Sequence, residues 1–128
     1  MSQSQLTYEL LKRGLDASTE RQKVISNNLS NINTKGYKRS YVTFEENLNN
    51  SLDNIEMTKT DPRHMDNGTE YGAIQVKTDN STSMNEDGNN IDIDTEAADE
   101  AKNALSYYAL VSQINGRINM TSSVINGR

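Results

Sequence analysis

The sequence predicts a mainly α-helical chain: two long terminal helices pair as an antiparallel, coiled-coil-like hairpin around a polar middle of short helix, β segments and mobile loop. Three observations carry this. Near the N-terminus Tyr8, Leu11, Leu15, Ser18, Gln22, Ile25, Leu29 and Ile32 recur at alternating spacings of three and four, one narrow seam on a helix that meets another helix. Near the C-terminus Ala101, Ala104, Tyr108, Val111, Asn115, Ile118, Ser122 and Ile125 repeat the same spacing. Between them Asp61-Pro62, Asn67-Gly68 and Asp87-Gly88 break any helical period.

Taken in order, the first helix is expected from about Leu6 to Ile32, roughly 40 Å long. Its seam turns polar at Ser18 and Gln22, which specifies a partner more than it maximises stability. It closes in an unusual run, Val24 to Tyr37, rich in asparagine and serine. Asn27, Asn28, Asn31 and Asn33 are poor helix formers that compete for local backbone hydrogen bonds, so something must satisfy their amides. Two readings stand: a polar cap running into a turn at Lys35-Gly36, or amides that bond neighbouring helices in an assembly, with Gly36 supplying a backbone angle other residues resist.

In the middle, Thr43-Phe44-Glu45-Glu46 has the spacing of a capping box, and Phe44, Leu48, Leu52 and Ile55 would line one face of a short helix. Ala73 to Thr78 has β character, Asp87-Gly88 precedes Asn90 to Asp94, and Thr78 to Asn90, almost without apolar residues, reads as a mobile loop. The second helix is expected from about Thr95 to Asn126, with Asp94 as N-cap and Glu96 favouring the positive end of the dipole. It is also apolar off its seam, at Leu105, Leu110, Ile114, Met120 and Val124, more than a single partner helix can cover. The divisions are then 1–37 for the N-terminal helix and its polar end, 38–90 for the central region and 91–128 for the C-terminal helix, together one assembly-dependent domain.

Bulk composition narrows the function. The chain has 128 residues, no cysteine, no tryptophan and 33% hydrophobic residues, too few for a sizeable core. With a mean hydropathy of −0.84 it lies near the compositional border of disorder, and a marginal monomer ordered by its neighbours is expected. A net charge of −5 argues against nucleic acid, since Lys35, Lys38 and Arg39 make only a small basic cluster. No stretch suits a bilayer span, and Lys12-Arg13 interrupts Leu10-Leu11 before any secretory signal could form.

Catalytic groups are sparse. His64 is the only histidine and no thiol exists, so a nucleophile–base arrangement would rest on one loop residue. The pairs Glu45-Glu46 and Asp92-Asp94 read as a solvated face and a helix cap. Ser83 to Asp94 places Asn85, Asp87 and Gly88 at the third, fifth and sixth positions of a calcium loop but fails at its first, eighth and twelfth. No catalytic residue, metal or cofactor is assigned.

The run Ser26, Asn27, Asn28, Leu29, Ser30, Asn31, Ile32, Asn33, Thr34, Lys35, Gly36, Tyr37 resembles the motif of the flagellar basal-body rod and hook proteins, whose usual form ends in Thr-Pro-Gly-Tyr. Lys35 stands where proline is common, leaving the turn less rigid. Asp61-Pro62-Arg63-His64-Met65, and Asp87-Gly88-Asn89-Asn90-Ile91-Asp92 leading into a helix with Asn103-Ala104-Leu105-Ser106-Tyr107, resemble the proximal-rod members of that family. The resemblance implies a structural subunit that is exported unfolded by the flagellar type III apparatus and polymerises helically into the drive shaft. It implies as partners other copies of itself, neighbouring rod proteins and the rod-base adaptor FliE. The competing reading is a cytoplasmic coiled-coil adaptor binding one partner helix, which would form a closed complex where a rod subunit needs contacts on several sides.

Overall fold

The structure, a computed structural model, describes residues 3–50, 72–81, 86 and 88–127. Helix α1 spans Gln3–Ser30, strands β1 and β2 span Ser40–Thr43 and Gln75–Thr78, and helix α2 spans Ile93–Asn126. At 1.5 Å per residue the helices are about 42 and about 51 Å long. They pack antiparallel: Asn28 meets Glu96, Gln22 meets Glu100, Ser18 meets Asn103 and Gly14 meets Leu110. The expected hairpin is therefore present.

Helix α1 ends where its asparagines begin to bond the backbone. Asn31 Nδ2 donates to Asn27 O (2.8 Å), Thr34 N–H donates to Asn31 O (3.0 Å), and the chain leaves through a turn in which Gly36 has φ +72°. Helix α2 is capped by Asp92, not Asp94. The backbone of Asp92 is extended and its carboxylate accepts from Asp94 N–H (3.0 Å) and Thr95 Oγ1 (3.2 Å), which leaves Asp94 in the first turn beside the dipole's positive end. At the far end Gly127, at φ +65°, donates its N–H to Ser123 O and stops the helix in the left-handed conformation.

β1 and β2 form an antiparallel ribbon with Ser40 opposite Thr78 and Thr43 opposite Gln75. β1 turns Val42 and Thr43 inward, whereas every residue of β2 is exposed. Residues 45–50 are helical, and Phe44 O accepts the first helical bond, from Leu48 N–H (2.8 Å). The expected capping role of Thr43 does not appear. Its hydroxyl faces Gln75 O (3.5 Å) and accepts from Asn47 Nδ2 (3.3 Å). Gly72, at φ +69°, lies so close to Phe44 that an added Cβ would come within 2.6 Å of the ring. Leu52, Ile55, Asp61-Pro62 and His64 lie outside the described residues.

The core is small, as composition requires. Ala17, Val24, Ile25, Val42, Phe44 and Ile91 are its buried apolar members, all between the last turns of α1, the ribbon and the start of α2. Toward the chain ends the helices diverge. An open groove of about 570 Å³ between them is lined by Tyr8 and Glu9 from α1 and Arg117, Ile118, Thr121 and Ile125 from α2.

Candidate functional site

Polar side chains do as much as apolar ones to hold the core end together. Asn28, on the inner face of α1, is fully buried, and its amide bonds both neighbours: Nδ2 donates to Ser40 O (2.8 Å) and to Glu96 Oε2 (3.2 Å), while Oδ1 accepts from Ser40 N–H (3.0 Å). Glu96, on the first turn of α2, is also fully buried and takes the Arg39 guanidinium on Oε1 through Nε. Arg39 in turn reaches Asp99 Oδ2 with Nη2 (2.9 Å). Burial alone disfavours the Arg39 charge. The hydrogen bond and charge of Glu96, with Asp99 behind them, outweigh it and hold the guanidinium pKa above its ordinary value.

The backbone of Arg39 joins a further segment. Its N–H donates to Asn90 Oδ1 (2.7 Å) and its carbonyl accepts from Asp79 N–H (2.7 Å), while Asn90 Nδ2 donates to Asp79 O (3.0 Å). Asp79 also accepts from Ser81 N–H (2.9 Å), and that bond holds its carboxyl below the usual aspartate range. Beside it, fully buried Asn89 caps the exit of α1. Its Nδ2 donates to Ile32 O (2.7 Å), Asn31 O (3.1 Å) and Thr34 O (3.3 Å), while Oδ1 accepts from Ile91 N–H (2.8 Å). Gly88, at φ +83°, brings the loop against Gly36; a Cβ on Gly88 would stand 3.6 Å from the Gly36 Cα. The expected mobile loop is thus anchored at both described ends, by Asp79 and by Asn89 and Asn90, with residues 82–85 and 87 outside the described set.

Farther along the pair, Ser18 Oγ donates to Asn103 Oδ1 (2.9 Å), Asn103 Nδ2 returns to Ser18 O (2.9 Å), and Gln22 Nε2 donates to Glu100 Oε1 (3.1 Å). Among the described residues no buried side-chain nitrogen or oxygen lacks a partner. That completeness matters, because a buried polar group without a partner costs about 1–3 kcal/mol.

The anticipated site residues divide between inside and outside. Asn28 and Ile25 are buried; Leu11, Leu15, Leu29, Asn31, Ile32 and Tyr37 are half-buried; Ser26, Asn27, Asn33, Thr34 and Gly36 are exposed. On α2 the anticipated seam lies at the flank of the contact with α1: Ala101, Ala104, Tyr108, Ile118 and Ile125 are exposed and only Val111 is half-buried, with Ile118 and Ile125 lining the groove between the helices. The packed register runs instead through Glu96, Asn103, Leu110, Ile114 and Arg117. A helix apolar on several sides offers several tracks, and the one packed here carries Asn103 against Ser18.

Sequence reasoning named Arg39 only within a small basic cluster and Asn89, Asn90 and Asn103 only as parts of family motifs, with no contacts assigned, and read Glu96 as a dipole partner only. One clue was available: a polar seam at Ser18 and Gln22 demands polar residues opposite it on α2, and Asn103 and Glu100 meet that demand. Among the described residues no group of three or more His, Cys, Asp or Glu side chains could hold a metal ion, and no helix is long and apolar enough to cross a membrane.

Comparison with known proteins places this geometry. A model of the flagella basal body rod protein family matches residues 11–38. Flagellar basal body rod protein FlgB of Bacillus subtilis (strain 168) is 36% identical over 121 residues, 94% of this chain and 94% of that protein. The FlgB proteins of Borrelia hermsii and Borreliella burgdorferi are 32% and 30% identical, covering 80% and 88% of this chain and 83% and 90% of their own.

Proposed function

The chain belongs to the family of flagellar basal body rod proteins, among its FlgB members, and on that premise we propose how it serves as a structural subunit of the proximal rod, polymerising helically into part of the shaft that transmits motor torque. The observation that carries the mechanism is the surface of α2. From Asn103 to Asn126 the helix holds one charged residue, Arg117, yet Leu105, Tyr108, Met120, Val124 and Ile125 are each more than two-thirds exposed. α1, by contrast, shows Glu9, Lys12, Asp16 and Lys23 to solvent. A largely uncharged, exposed helix borne by a hairpin that buries only its other side awaits cover by neighbouring subunits.

Contacts of this kind join different surfaces on successive copies, and such heterologous contacts propagate as an open helix. The stretches 1–37, 38–90 and 91–128 act together as one assembly-dependent domain, with the exposed members of the α2 set, Ala101, Ala104, Tyr108, Ile118 and Ile125, at the subunit boundary. Other copies of the chain, adjacent rod proteins and the rod-base adaptor FliE are the partners in this reading, and the flagellar type III apparatus delivers the chain unfolded. The place of action is the basal body. The competing adaptor would form a closed complex with one partner.

Removal of Asn119 to Arg128 tests the proposal in cells lacking their own FlgB. It takes only the last turns of the hairpin but an intersubunit surface repeated in every copy. The expected outcome, read by electron microscopy of basal bodies and by secretion assays, is an exported chain that builds no rod. Normal rods from the truncated chain would defeat the mechanism.

A further inference from the structure

Arg39 ties several segments of the molecule together. Its backbone N–H holds Asn90, its carbonyl holds Asp79, and its guanidinium holds Glu96 and Asp99 on α2. Through Glu96 it shares an acceptor with Asn28 of α1, and Asn28 in turn brackets the N–H and carbonyl of Ser40, the next residue in the chain and the first of β1. One side chain therefore meets the second helix while its own backbone carries the ribbon and the return loop. Its side chain is 23% exposed and that of Glu96 is wholly buried.

A buried ion pair is a poor device for stability, since desolvation consumes most of the attraction, but its directional bonds restrict geometry. Guanidinium suits that purpose. Nε and Nη2 address two carboxylates at fixed relative angles, which the single ammonium of lysine cannot do. β2 is exposed along its whole length, so the ribbon is held through β1 alone: Val42 and Thr43 bury it and Asn28 fixes Ser40 against α1, while Arg39 ties it to α2.

We infer that Arg39 is a positioning residue: by bridging Glu96 and Asp99 it sets the angle at which the β1–β2 ribbon stands on the helix pair, and so where the central segment sits on the surface of each assembled subunit. The helices pair without it, through Ser18 and Asn103. This inference rests on the rod-subunit reading for its consequence in cells, though not for its structural content.

The test separates orientation from stability. The chain has no cysteine, so spin labels can be introduced in pairs: Val76 with Leu105 reports ribbon against α2, and Asp16 with Lys102 reports α1 against α2. Arg39→Gln strands the buried Glu96 charge and lowers the melting temperature. Arg39→Gln combined with Glu96→Gln removes both charges and recovers the melting temperature. In this double variant the narrow Val76–Leu105 distance distribution is expected to be lost, the Asp16–Lys102 distribution unchanged, and rods absent from cells. A narrow ribbon distribution, or rods, returning with stability overturns the inference. Should the double variant fail to recover stability, Arg39→Lys decides: it keeps the charge, and loss of the narrow ribbon peak with the helix pair intact is expected, while a retained peak overturns the inference. If the unaltered chain builds no rods in cells lacking FlgB, the rod reading fails while the distance measurements still judge the role of Arg39.

Discussion

The two ends of the helix pair are built on opposite principles. Where α1 meets α2 between Ser18 and Asn28, polar groups are buried and every one is answered: Ser18 by Asn103, Asn28 by Ser40 and Glu96, Glu96 by Arg39. Past Gly14 and Leu110, apolar groups are exposed: Ile118 and Ile125 line an open groove between the helices, and Met120 and Val124 are exposed as well. Directional hydrogen bonds give the first end a specific geometry. A subunit that must then join neighbours needs an adhesive end, and non-directional apolar burial supplies that.

The largest expected effect lies at the specific end. Glu96→Ala takes one acceptor from the partly buried Arg39 guanidinium, which keeps Asp99, and one from the Asn28 amide, which keeps Ser40, and should destabilise the chain by about 3 kcal/mol, the range for breaking a buried pair. Chemical denaturation measures it, and hydrogen exchange should show protection lost first in residues 18–28 and 96–103. A change under about 1 kcal/mol would mean that this end is not held by its polar groups.

A smaller loss is expected from Asn103→Ala, about 1–2 kcal/mol, because Ser18 is left without its reciprocal partner. Its sharper consequence is in register. With the polar key gone, the several apolar tracks of α2 compete, and crosslinks between cysteines placed at Gly14 and Leu110 should weaken relative to neighbouring pairs. Unchanged crosslinking would show that apolar packing alone selects the track.

At the adhesive end the two readouts should part. Ile125→Ser removes an exposed side chain, so the isolated chain should change by no more than about 0.5 kcal/mol, whereas rod formation should fail. Equal loss of stability and assembly would erase the contrast between the ends.

The smallest expected effect concerns Asp79. Its carboxyl is held below the ordinary value by the Ser81 N–H, so its contribution is complete above about pH 4 and is lost as pH falls through the depressed folded value. Carboxyl titration by NMR should give a midpoint below that of an ordinary aspartate. Because the Asp79 carboxylate holds the Ser81 N–H, acid should loosen the return loop at that turn before it affects residues 114–126. A midpoint at or above the ordinary value would remove this difference.

Much of the architecture was legible because it is local. The three-and-four spacing of α1 predicted a helix, and of that set Ser18 and Ile25 are buried while Tyr8 is exposed. Ala73 to Thr78 predicted a strand that occupies Gln75–Thr78, and Lys35-Gly36 predicted a turn that Gly36 makes at positive φ. The same reasoning misread the facing side of α2, where Leu105, Leu110 and Ile114 make several tracks equally apolar. It also misread the loop before α2, where Asn89 and Asn90 look like solvated turn residues until α1 and β1 are placed beside them.

What the sequence determined by itself, then, is the length and period of both helices, their antiparallel pairing, the family motif at the end of α1 and the excess of apolar residues on α2. Apart from the pairing, which follows from matching periods in the two helices, these are properties of neighbours within a few positions, where backbone geometry dictates which residues share a face. Only the tertiary structure decided which asparagines turn inward, which track of α2 is packed, and that Arg39 joins Glu96 across 57 positions. Those outcomes depend on buried donors finding acceptors far along the chain. A buried polar group is tolerated only when its partner is in place, and no local period encodes where that partner will be.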